Sequence, residues 1–179
     1  TRWQPLHWIL QVPDVVEDHG GFDAVIGNPP FLGGKKVSGA QGTNVREWLV
    51  NVVADGAKGN ADLVANFLLR GWSLLNRHGT IGLIATNTLA QGDTREVGLD
   101  QLEARGFTLT RAVQSRSWPV STANLEYAAV WGARSAVASE VPLVADGETA
   151  RRISTLLEPA GRVAGRPSRL IENLRIVFQ

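Results

Sequence analysis

Apolar positions along the chain fall into short unbroken runs, and these alternate with stretches where they recur at helical spacing. "FDAVIG" (22–27) and "TIGLIAT" (80–86) are continuous apolar runs bounded by Gly, Pro or Asn. That is the form of strands covered on both faces. Between them, Leu63, Phe67, Leu74 and Val64, Leu68, Trp72, Leu75 predict a helix from about Ala61 to Arg77, with Asn60 as its cap and Gly79 just past its end. Parallel strands need a crossover, so strand, helix and strand read as a βαβ step. A helix is also predicted from Thr43 or Asn44 to about Asp55, and another over 93–105. "FTLTRAV" and "LEYAAVWGA" predict two strands joined by "QSRSWPVSTAN", an antiparallel pair at the sheet edge. The first twenty residues, with Trp3, His7 and Trp8, form a lead-in, and "LGGKKVSGAQGTN" is expected to be a loop. From Ser135 the chain turns Ala, Gly, Pro and Arg rich, which predicts a linker with one helix at Glu148–Leu157. No internal repeat is present. The fold class is therefore α/β.

Composition narrows this picture without redirecting it. At 179 residues and 44% hydrophobic content, the chain suffices for one core, or one and a fraction. A net charge of +1 announces no nucleic-acid partner, so any such partner must be argued from local patches. Cysteine is absent, which removes disulfides and thiolate metal sites and, with no leader-like start, favours the cytoplasm. No apolar run approaches the roughly 20 residues of a membrane span. His7, His19 and His78 lack metal-ligand spacing, so no metal is expected. Asp23 opens a strand and Asp62 sits in a helix's first turn, so both read as structural. The arginines from Arg151 to Arg175 alternate with Glu148, Glu158 and Glu172, an ordinary charged surface. The chain opens on Thr, contains no Met and ends on "RIVFQ", so an excerpt of a longer protein is expected.

The chemistry concentrates where the first strand ends, in "NPPF" (28–31). In open α/β sheets, ligands bind beyond the carboxyl ends of the strands. Pro29 and Pro30 each lock φ and offer a carbonyl without an N–H, and Asn28, preceding a proline, is pushed to an extended conformation. The result is a stiff ledge of acceptors, the Asn28 side-chain oxygen and the Pro29 carbonyl, beside the ring of Phe31. Such a ledge suits a planar substrate bearing an NH2 group. The amine of adenine is a poor nucleophile because its lone pair is delocalised, and two acceptors engaging both N–H bonds favour a pyramidal, more nucleophilic nitrogen. Phe31 holds the base by stacking, and reaching it within a duplex requires flipping it out. Lys35, Lys36 and Arg46 follow with no acidic residue until Glu47, and are candidate phosphate contacts.

"NPPF" after "FDAVIG" resembles the catalytic motif of class I S-adenosylmethionine-dependent DNA N6-adenine methyltransferases. "ADLVANFLLRGWSLLNRHG" with "TIGLIATN" is similar to the helix and strand that follow in that fold, and "SRSWPVSTANLEYAAVWGAR" to its closing edge hairpin. The wording "NPPFLGGKK" and "ATNTLAQGDTREVGLDQ" most resembles the large fused methyltransferases of bacterial restriction-modification and phage-defence systems, including type IIL enzymes. The resemblance spans roughly Phe22 to Arg134. It implies a partial Rossmann-like fold, the C-terminal half of a mostly parallel sheet with an antiparallel edge hairpin. It implies residues 1–134 as the C-terminal part of a catalytic domain, and 135–179 as a linker into a target-recognition region. By the same resemblance, Asn28 and Pro29 accept hydrogen bonds from the adenine amine, Pro30 stiffens the ledge, and Phe31 stacks on the base. Trp118, before Pro119, stands where an aromatic-Pro pair closes the base's other side. Asn28 also faces the methyl donor, S-adenosylmethionine. The implied partners are double-stranded DNA with a flipped adenine and a fused or associated nuclease and target-recognition domain. The Gly-rich cofactor turn and the ribose-holding acid of that family do not precede Phe22, so the piece alone is expected to be inactive. RNA adenine or protein glutamine methyltransferases share the ledge, and a non-catalytic DNA-binding or scaffold remnant is the alternative from another class.

Overall fold

The computed structural model describes residues 6–119 and 126–159. In chain order these form α1 (Trp8–Gln11), α2 (Pro13–Glu17), β1 (Phe22–Gly27), α3 (Gly34–Gln41), α4 (Thr43–Trp48), α5 (Leu63–Leu74) and β2 (Leu75–Thr86). Then follow α6 (Gly92–Arg95), α7 (Gln101–Ala104), β3 (Thr108–Ser117), β4 (Glu126–Ala133), β5 (Leu143–Ala145) and β6 (Glu148–Ala150). Wider π-helical turns at Leu49–Val53 and Glu96–Asp100 continue α4 and α6.

The strands make one sheet in the order β1-β2-β4-β3-β5-β6. β1 runs parallel to β2, and β3 parallel to β5, while β4 and β6 run opposite to their neighbours. Four of the six strands thus share a direction, and the chain crosses from β1 to β2 through α3, α4 and α5, as a parallel pair requires. The expected antiparallel hairpin is present as β3 and β4, with β4 inserted between β2 and β3, but it does not form the sheet edge, because β5 and β6 lie beyond β3.

One sheet face is covered by α5 and by the helical run from Gly92 to Ala104. Leu68, Leu69, Leu75, Ile81, Leu83, Ala85, Leu89, Leu99, Leu102 and Val130 form the core between them. Gly71 sets the approach of α5, since a Cβ there would lie 2.5 Å from Ile81 Cδ1. A smaller cluster of Val37, Leu49 and Leu63, joined by Leu32, seats α3 under the segment that follows β1. On the opposite sheet face Ile26 is 87% exposed and Trp131 42%.

Several expectations are corrected. The "LGGKKVSGAQGTN" segment is helical from Gly34 to Gln41, because Val37 reaches the small cluster and gives the helix something to pack on. The helix expected to reach Arg77 ends at Leu74, and Asn76 to Gly79 already belong to β2. There Asn76 Nδ2 donates to Asp23 Oδ1 at 2.6 Å, drawing that stretch out alongside β1. The helix expected at Glu148–Leu157 is β6 followed by turns. Asp146 (φ 50°) and Gly147 (φ 91°) form the tight reversal that pairs Ala145 with Glu148. Where a linker was expected after Arg134, β5 and β6 extend the same sheet. The remainder of that expected region, 160–179, lies outside the described residues.

Candidate active site at the carboxyl end of the parallel strands

Asn28 follows β1 directly, at the strand's carboxyl end. Asn28 and Pro30 are exposed, Pro29 is buried, and Phe31 remains 41% exposed. The chain turns where Leu32 N–H donates to the Pro30 carbonyl at 3.0 Å. Pro29 thereby anchors the ledge, with Asn28 and the Phe31 ring free to meet a ligand.

Two cavities meet at this ledge. One, about 290 Å³, is lined by Pro30 to Gly33 on one wall and by Thr86, Asn87 and Thr88 on the other, with Asp62, Val64 and Glu126 between. The second, about 510 Å³, lies along β1 and α5 against Asn28 and Pro29, and is walled by Trp8, Phe22 and Phe67. Pro30 borders both.

The polar groups around the smaller cavity are tightly connected. Asp62 Oδ1 accepts from Gly34 N–H at 2.9 Å, and Asp62 Oδ2 from the Thr88 hydroxyl at 2.6 Å. The Thr86 and Thr88 hydroxyls lie 2.6 Å apart. Glu126 Oε2 accepts from the Ser115 hydroxyl at 2.6 Å and from Asn87 Nδ2 at 3.2 Å. The ends of β2, β3 and β4 are therefore drawn together at this cavity's rim.

The other expected site residues lie further out. Lys35 and Lys36 are exposed on the first turn of α3. Arg46 turns back instead, its Nη1 donating to the Gly34 carbonyl at 3.4 Å. Trp118 does not line the cavity; it packs edge-on against Tyr127 with ring centroids 5.4 Å apart. It follows Ser117, which pairs with the cavity residue Glu126. Residues 120–125, the rest of that expected loop, lie outside the described residues.

Thr86, Asn87, Thr88 and Glu126 line this cavity without having been singled out in the sequence, and Asp62 was expected to be structural only. "ATNT" ends the second strand, and polar residues at the carboxyl end of a parallel strand were the available signal. Among the described residues, no group of three or more His, Asp and Glu is placed to hold a metal, and no helix is long and apolar enough to cross a membrane.

Residues 2–107, more than half of the chain, match the family model described as Eco57I restriction-modification methylase. No curated protein sequence matches. Among solved structures, the type IIL restriction-modification enzyme MmeI, determined in complex with DNA, aligns with a TM-score of 0.66 and 20% identity. The alignment covers 85% of this chain and 21% of that one. A protein of Listeria monocytogenes described as a class I S-adenosylmethionine-dependent methyltransferase aligns with a TM-score of 0.50 and 12% identity, over 70% of this chain and 36% of that one. At these identities the likeness is one of fold. The present chain spans about a fifth of the first of these structures and about a third of the second.

Proposed function

The chain belongs to the Eco57I restriction-modification methylase family, and on that premise we propose that Asn28 to Phe31 is the ledge at which a flipped DNA adenine receives a methyl group on its N6 amine. The observation that carries this reading is the placement of the ledge. An exposed Asn, a buried Pro and a half-exposed Phe close the carboxyl end of a parallel strand, beside a cavity of about 290 Å³. That volume is ample for one base.

The Asn28 oxygen and the Pro29 carbonyl take the two N–H bonds of the amine and localise its lone pair. The donors engaged are substrate protons, so no general base is required before bond formation, and the surplus proton of the methylated amine is released to water afterwards. Phe31 stacks on the base, worth about 1–3 kcal/mol, which offsets much of the few kcal/mol that flipping costs. The two prolines keep the acceptors from relaxing, so the geometry is set before the substrate arrives. S-adenosylmethionine supplies the electrophilic methyl group when bound. The apolar wall of Trp8, Phe22 and Phe67 beside Asn28 fits part of such a donor, but that cavity's lining contains no carboxylate for ribose hydroxyls. Asn28 and Pro29 line the donor-side cavity, and Pro30 stands between it and the cavity that Phe31 borders. Lys35 and Lys36 lie one turn beyond Phe31 and contact DNA phosphates. Sequence readout, and a nuclease fused or associated, belong to other parts of a cytoplasmic restriction-modification or phage-defence system.

The test is mass spectrometry of nucleosides from cells expressing the full natural protein, beside Asn28→Ala. N6-methyladenine in DNA that disappears with the substitution is the expected result. A well-expressed protein that leaves DNA unmodified sinks the reading, and methyladenine in RNA or methylglutamine in protein would then redirect it.

A further inference from the structure

One carboxylate grips the loop that carries the ledge. Asp62 occupies the N-cap position of α5, yet its side chain makes no capping bond to that helix. Both oxygens are used on distant segments instead: Oδ1 on Gly34 N–H, 28 residues back, and Oδ2 on the Thr88 hydroxyl, 26 residues on. The backbone around it adds two more ties. Asp62 N–H donates to Thr94 Oγ1 at 3.0 Å, and Leu63 N–H to the Leu32 carbonyl at 2.9 Å. Gly34 is buried against the Asn60 and Ala61 backbone, and its N–H loses its hydrogen-bond partner if the carboxylate leaves. Asp62 also lines the cavity that Phe31 borders, between the loop wall and the Thr86–Thr88 wall.

We infer that Asp62 is a positioning residue for methyl transfer, locking the Asn28–Phe31 loop to the end of β2 so that the two walls of the base cavity move as one body. The inference rests on the methyl-transfer reading above. The loop's near end is fixed by β1, and its far end is fixed by this clamp together with Leu32 in the small cluster. Without the carboxylate the ledge keeps its atoms but loses its register with Thr86 to Thr88. Small displacements of that kind slow chemistry that depends on aligned acceptors.

The full natural protein carrying Asp62→Ala, Asp62→Asn or Thr88→Val provides the test. Hydrogen exchange over residues 28–36 reads the clamp independently of catalysis. Turnover on genomic DNA lacking methyladenine reads the role. In Asp62→Ala, exchange at Gly34 is expected to rise, and turnover to fall, each by about tenfold to a hundredfold, as for a lost charge-assisted bond. Asp62→Asn keeps an oxygen for Gly34 N–H and offers its NH2 to the Thr88 hydroxyl, so it restores turnover to within about threefold. Loss of folding alone would not be rescued that way. Thr88→Val lowers turnover part of the way, and adds little when combined with Asp62→Ala because both act through one network. If Asp62→Ala fails to fold, the contrast between Asp62→Asn and Thr88→Val carries the test. Wild-type exchange or wild-type turnover in Asp62→Ala overturns the inference while leaving the methylation reading intact. A wild-type protein inactive on DNA overturns both, and raised exchange in Asp62→Ala then marks a structural clamp only.

Discussion

A methyl group added at Gly34 and one added at Gly39, both within α3, are expected to act with opposite sign. At Gly34 the new Cβ would lie 2.1 Å from the Asn60 carbonyl oxygen, 2.3 Å from the Asn60 carbonyl carbon and 2.5 Å from the Ala61 carbonyl oxygen. These are backbone atoms, so no change of rotamer relieves them. Overpacking of this kind costs about 1–3 kcal/mol, and separating α3 from residues 60–62 also strands the Gly34 N–H, adding about 1–3 kcal/mol. The sum, about 2–6 kcal/mol, is a large part of the roughly 5–15 kcal/mol typical of a folded domain. At Gly39 nothing lies within 4 Å and φ is not positive, so Gly39→Ala restricts the unfolded chain and stabilises by about 0.4–1 kcal/mol. Urea unfolding followed by circular dichroism measures both as shifts in midpoint. Turnover should follow position rather than stability, falling in Gly34→Ala and holding in Gly39→Ala. A Gly34→Ala protein as stable as wild type would refute the close approach of α3 to residues 60–61. Equal destabilisation by both substitutions would refute the claim that the cost is local contact rather than helix content.

Two further expectations address the substrate. Phe31→Leu keeps an apolar side chain but removes the π-face, so kcat/KM on DNA should fall by about 5- to 150-fold, the equivalent of about 1–3 kcal/mol of stacking, while Phe31→Trp retains most activity; steady-state kinetics on DNA decide. Lys35→Ala with Lys36→Ala should weaken binding uniformly across DNA sequences and reduce the salt slope of log K by about 0.9 for each phosphate no longer neutralised. Fluorescence anisotropy across a salt series measures this, and an unchanged slope removes both lysines from the interface.

The parts of the fold that were legible in the sequence are those governed by near neighbours. β1 runs over the residues of its apolar run, Phe22 to Gly27, because Gly21 and the Asn28-Pro29 step bound it on either side. The helix on Leu63 to Leu74 follows from i, i+3 and i+4 spacing alone. The Asp146-Gly147 reversal was missed, although Asp-Gly between short apolar runs is a hairpin signal, because helix-forming residues after Glu148 masked it. α3 was not legible, because its Gly- and Lys-rich sequence has little helical preference and depends on Val37 meeting Leu49 and Leu63.

The candidate site divides the same way. The acceptor ledge is a property of four adjacent residues, since proline's ring and the restriction it places on its predecessor act within the chain itself. Asp62 looks in sequence like a residue at the start of a helix, and that is where it sits, yet both its carboxylate oxygens serve other segments. Likewise Glu126 becomes a cavity residue only because β4 inserts beside β2 and brings it to Asn87, 39 residues earlier. Steric restriction falls off within a residue or two along the chain, whereas a side-chain hydrogen bond depends on the separation of its atoms in space. Local chemistry therefore set the ledge, and only the packing of β1, β2 and α5 decided what holds it and what faces it.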